Sequence, residues 1–173
     1  MTWDAVGAIA DSVGAIGVII TLIYLAVQIR TNTKTTRLQS YNDLVARRSA
    51  WMSEVADSQE MTEIFYAGAQ GELSSGVDSQ RFLMVMLNFM SHFQDVYLQF
   101  RAGIVEDDVW QAERKMLAAM VHAPGVQDWW EQARQYFMPD FIQEVARIEP
   151  LDVVVYDREE KRWRRTSNFD ELV

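Results

Sequence analysis

The chain has 173 residues, 49% hydrophobic and 24% charged, with a formal net charge of -9 and no cysteine. The lack of cysteine excludes disulfides, thiolate metal sites and cysteine nucleophiles. Residues 1–50 hold five Lys/Arg against three Asp/Glu, and residues 51–173 hold eleven against twenty-two. An acidic body behind a basic collar is repelled by phosphates, so nucleic acid is not the expected partner.

The stretch from Trp3 to Arg30 comes first in the chain and organises the rest. Between Val6 and Ile29 its only charge is Asp11. At about 1.5 Å per helical residue, roughly 20 apolar residues cross a ~30 Å hydrocarbon core. The expectation is a transmembrane helix over residues 1–30. Two other identities compete with it. A cleaved signal peptide starts with positive charge and ends with a small-residue cleavage site, whereas here Asp4 comes first and the cations follow. A buried core helix is the second, although the run Val13–Val27 is long for one.

Arg30, Lys34, Arg37, Arg47 and Arg48 follow the apolar stretch, with no Lys or Arg before it. The positive-inside rule then puts the N-terminus outside and the following domain in the cytoplasm. Trp3, Tyr24, Arg30, Lys34 and Arg37 are the expected membrane-interface residues. Gly7, Ala10, Gly14, Gly17 and Thr21 recur at spacings of 3 and 4, which aligns them on one helix face. In lipid, such a smooth face lets helix backbones approach. Asp11 borders it. In a symmetric oligomer it would ring a central axis, as in a cation pore; near the outer headgroups it is simply wet.

Residues 31–37 are polar, without Gly or Pro, so a continuous helix is allowed. Leu38, Tyr41, Val45, Met52 and Val55 continue at 3 and 4 with one skip at Arg48, predicting an amphipathic helix over about 33–56. Asp57 and Glu60 have capping-box spacing and start a helix to about Gln70. Asp78 or Ser79 would cap the next helix, about 78–102, ended by Gly103. That helix is rich in large apolar residues and reads as the centre of a bundle, with Met84, Met86 and Met90 as core filler or an adaptable surface. Further helices are predicted over about 107–121, Val126–Phe137 and Pro139–Ile148. Beyond Pro150, Val153–Tyr156 and Lys161–Thr166 form a short β-hairpin or a loose tail. Trp163 among Lys161, Arg162, Arg164 and Arg165 suits anionic headgroups.

The opening WDAVGAIADSVGAIGVIITLIYLAVQIRTNT resembles that of a widespread group of uncharacterised bacterial membrane-anchored proteins. Their N-terminus has the general form W-x-A-I-G-x-I…L-I-Y-L-A-x-Q-I-R-x-N-T. YLQFRAGIVEDDVW and PGVQDWWEQARQYFMPDFIQEV carry the similarity to about Arg147. The resemblance implies one span and a small helical domain at a bacterial inner membrane. It implies no activity.

Chemical motifs are sparse. His92 has Asp95 three residues on, and His122 lies on another element, without the Glu-x-x-His pairs of a bundle metal site. Glu106, Asp107 and Asp108 suit a helix N-terminus. No phosphate loop, nucleophile elbow or dinucleotide fingerprint occurs. The expected fold class is all-α: a transmembrane helix (1–30), a small cytoplasmic helical bundle (31–150) and a C-terminal tail (151–173). The expected function is a membrane-anchored homo-oligomeric scaffold or auxiliary protein, without catalytic activity or cofactor. The alternatives are an oligomeric cation channel ringed by Asp11, or an accessory subunit of a larger membrane complex.

Overall fold

The computed structural model describes residues 3–157 and 159–166, with the backbone alone for residues 4–13. It is all-α with one small hairpin. Helix α1 runs Trp3–Ala56, α2 Gln59–Gln70, α3 Gly76–Arg101, α4 Asp107–Val121, α5 Pro124–Ala133 and α6 Pro139–Val145. A 3-10 turn, Arg134–Tyr136, follows α5. Strands β1 (Val153–Asp157) and β2 (Arg162–Thr166) close the order. The chain divides into two compact units between Tyr41 and Asn42.

The first unit is the N-terminal part of α1. Its side chains from Gly14 to Gln39 are exposed. This helix is long and apolar enough to cross a membrane, and none of its apolar window is buried. A core helix would be buried, so that identity does not fit. Threonines in this segment bond back to their own helix. Thr21 donates to the Gly17 carbonyl at 2.9 Å, Thr31 to Val27 at 3.0 Å and Thr33 to Ile29 at 2.9 Å. Each hydroxyl is thereby bonded within its own helix.

The second unit is a helical bundle built around α3. Phe82, Val85, Met86, Phe89, Met90, Phe93, Val96 and Tyr97 of this helix are buried. Met86 and Met90 fill the core, while Met84 is 60% exposed and points out. Leu44 and Trp51 from the end of α1 join the core, with Trp51 edge-on to Phe89 at 5.0 Å. α2 packs on α3 and α5, and α4 packs on α3. Trp110, Leu117, Val126, Trp130 and Phe141 complete the interior.

Two helices start from different caps than the sequence spacing predicts. Asp57 does not open α2, because its own amide still bonds back to the Ser53 carbonyl at 2.9 Å. Ser58 is the cap, its Oγ accepting from the Met61 amide at 3.3 Å. Neither Asp78 nor Ser79 caps α3. Ser75 does, accepting from the Asp78 amide at 3.1 Å, which leaves Asp78 in the first turn. α5 begins at Pro124, two residues before the predicted Val126, since proline fits the first helical position. α6 stops at Val145, and the chain then tightens into i→i−3 bonds through Ile148.

Gly125 sits where α5 crosses the end of α2. A Cβ there would lie 1.9 Å from the Gly68 carbonyl oxygen and 2.5 Å from the Gly71 nitrogen. Both are backbone atoms, so only glycine allows this approach. Gly71 itself ends α2 in the left-handed region at φ 82.

Of the two expectations for the tail, the hairpin is the one formed, over the β-branched Val153–Tyr156 and its return strand. Val153 pairs with Thr166, Val154 with Arg165, Val155 with Arg164, Tyr156 with Trp163 and Asp157 with Arg162. Val153 and Val155 are buried on one face.

Candidate functional site

The outward face of α1 is the first candidate. Gly14 and Gly17 have open space where a Cβ would stand. With Thr21 one turn on, they make a smooth strip between Ile16, Ile20 and Ile23, all more than half exposed. Trp3 is 90% and Tyr24 65% exposed. At helical rise they lie about 31 Å apart. Arg30, Lys34 and Arg37 follow on the same helix, all exposed. The side chains of Gly7, Ala10 and Asp11 lie outside the described residues, so this strip is described from Gly14 onward. Past Leu25 and Ile29, the face becomes a shallow open groove bordered by Gln28, Thr31, Asn32 and Thr35. It encloses nothing and carries no charged group.

The second candidate is a polar cluster that sequence spacing does not reveal. Glu113 of α4 is buried, its side chain only 7% exposed. One carboxylate oxygen accepts a hydrogen bond from the Arg48 guanidinium of α1. The other lies 3.3 Å from Nε2 of His92 on α3. The Nδ1 of His92 is buried without a hydrogen-bond partner, and the Phe93 ring lies edge-on to the imidazole at 5.1 Å. Asp95, the nearest acid to His92 in sequence, instead takes Arg47 at 2.8 Å. The end of α1 is thus clamped twice, Arg47 to α3 and Arg48 to α4.

The cluster joins three helices through one carboxylate. A buried carboxylate needs this pairing, because desolvation of an unpaired charge is prohibitive. Among the described residues no three His, Asp or Glu side chains converge to hold a metal ion. His122, the other histidine, donates from Nε2 to the Ile148 carbonyl at 3.0 Å and ties the end of α4 to the chain after α6. The acids at the start of α4 have helix-terminal roles: Asp108 accepts from the Val109 amide at 2.8 Å, and Asp107 accepts from Gln111 at 3.3 Å.

Both members that spacing missed left a trace. Arg48 is the one interruption of the apolar repeat between Val45 and Met52. Glu113 stands three residues after Trp110 and four before Leu117, on the apolar face of α4. A charge at a core-facing position signals a buried partner, but its identity is set by long-range packing.

Comparisons with protein-family models, with curated proteins and with solved structures each gave no match.

Proposed function

We propose that this chain is a membrane-anchored homo-oligomeric scaffold or auxiliary protein. In this reading it sits in a bacterial inner membrane, with its N-terminus outside and the domain from Asn42 onward in the cytoplasm. The observation that carries it is the strip Gly14–Gly17–Thr21 on an exposed apolar helix. Apolar side chains gain nothing by leaving lipid for one another, so association there depends on close packing. Small residues permit such packing. The cations Arg30, Lys34 and Arg37 behind the apolar stretch support the orientation. The resemblance of the opening residues to bacterial membrane-anchored proteins supports the compartment.

The test is the mass of the full chain in detergent, by light scattering across concentrations. The expected mass is a multiple of the 20.0 kDa polypeptide, falling to a single copy in Gly14→Leu. A single copy at every concentration refutes self-association. Recovery of one stoichiometric foreign chain from native membranes would assign the strip to a larger complex instead.

A further inference from the structure

We propose that the exposed face of the C-terminal hairpin is a second membrane contact, selective for anionic headgroups. It rests on the reading of α1 as a membrane anchor.

The register divides the hairpin into two unlike faces. Val153 and Val155 are turned inward at 6% and 5% exposure. The other face carries Val154 opposite Arg165 and Tyr156 opposite Trp163. Val154 is 61%, Tyr156 48% and Trp163 70% exposed. The Tyr156 and Trp163 rings meet edge to face at 5.3 Å. Each ring is an apolar body with a polar tip, the residue type that collects at the lipid–water boundary. Lys161, at the turn, and Arg165 are exposed at either end of the aromatic pair.

Charge separates this patch from the rest of the domain. Residues 51–150 hold six Lys/Arg against sixteen Asp/Glu, whereas 161–165 read KRWRR. An anionic bilayer repels the acidic body and attracts this basic stretch. Two of its cations are engaged within the hairpin. Arg164 donates to Asp157 at 2.9 Å, and Arg162 pairs with Glu160. These pairs hold the turn, so Lys161 and Arg165 are the cations assigned to lipid.

The size of the patch favours lipid over protein. Five side chains fall far short of the roughly 800 Å² per partner of a stable protein interface. A weak lipid contact needs no such area when another segment already holds the chain at the membrane. Tethering by α1 makes this second contact effectively intramolecular. Only residues 30–41 separate Ile29 from the start of the domain, about 18 Å if helical.

The experiment uses the full chain reconstituted in vesicles of phosphatidylcholine alone, or of phosphatidylcholine with phosphatidylglycerol. Both sets carry acyl chains brominated near the headgroup. Quenching of Trp163 is read as the difference between wild type and Trp163→Phe, since the chain has six tryptophans. The expected result is a Trp163 contribution several-fold larger in the anionic vesicles. Arg165→Glu, which keeps Trp163, should return it to the neutral-vesicle level. Equal quenching in both vesicles overturns the anionic selection. Vesicle-bound protein without Trp163 quenching in either overturns the hairpin contact and leaves the anchor standing. Protein that does not float with vesicles at all overturns the anchor reading and this inference with it. Loss of self-association in detergent on Trp163→Phe, without lipid quenching, assigns the face to a second copy and overturns the proposal.

Discussion

Replacing Glu113 by alanine should destabilise the helical domain by about 3 kcal/mol. The carboxylate side chain is 7% exposed and serves two partners. Its removal leaves the His92 ring, 3% exposed, with neither nitrogen bonded. An orphaned buried polar group costs about 1–3 kcal/mol. The lost charge-assisted bond to Arg48 adds about 1 kcal/mol, at the low end because Arg48 is 30% exposed and regains water. One lost methylene adds roughly 0.8 kcal/mol. Thermal unfolding of the full chain in detergent, followed by near-UV circular dichroism, should show a midpoint lower by about 10 °C. Glu113→Gln keeps the shape and an acceptor, so it should lose less than half as much. A Glu113→Ala variant within about 0.5 kcal/mol of wild type would refute the view that this carboxylate braces three helices.

Gly125→Ala should prevent α5 from seating on α2, a loss of about 3 kcal/mol or more, because the new Cβ meets backbone at 1.9 Å. Reduced helical protection in α2 and α5 by hydrogen exchange checks it; wild-type protection would sink it. Ser58→Ala should cost about 1 kcal/mol in the same thermal assay by removing the α2 cap, and no change would return the cap to Asp57. Asp157 has its carboxyl held below the ordinary aspartate value by the Glu160 amide, against some desolvation, with help from Arg164 and the Glu159 amide. A lowered folded value contributes stability above the unfolded value that is lost as pH falls through the folded one. Hairpin order, read from the Tyr156–Trp163 near-UV signal, should therefore decline in acid below the ordinary aspartate range. Asp157→Asn should flatten that decline, and an identical acid transition in the variant would assign it to another group.

The architecture was legible wherever the deciding interactions are local. The apolar run of α1, the large side chains of α3, Gly71 and Gly103 as helix ends and the β-branched residues of β1 act over a few residues, and each marks its element. The caps were less legible because two candidates stood side by side. Asp57 and Ser58 both offer an oxygen, and the choice depends on whether α1 still holds the Asp57 amide. The ends of α5 and α6 were missed for a related reason. The chain passes there from α-helical to i→i−3 bonding, and apolar periodicity barely changes across that transition.

The buried cluster shows a different limit. Helical periodicity marks Arg48 and Glu113 as charges on core-facing positions, but it cannot say that they face each other across 65 residues of chain. The short-range pairing of His92 with Asp95 looks better in sequence and is not the one formed. Arg47 and Arg48 are adjacent, so on a helix they point about 100° apart. Arg47 can therefore reach Asp95 on α3 while Arg48 turns toward α4 and Glu113. Had Arg47 not held Asp95, His92 would have had an acid one turn away on its own helix. The register of α1 against α3 thus decides which acid is left for His92, and that register comes from the packing of Leu44 and Trp51. A polar interruption in an apolar repeat is legible as a demand for a partner, and only tertiary packing chooses among the partners on offer.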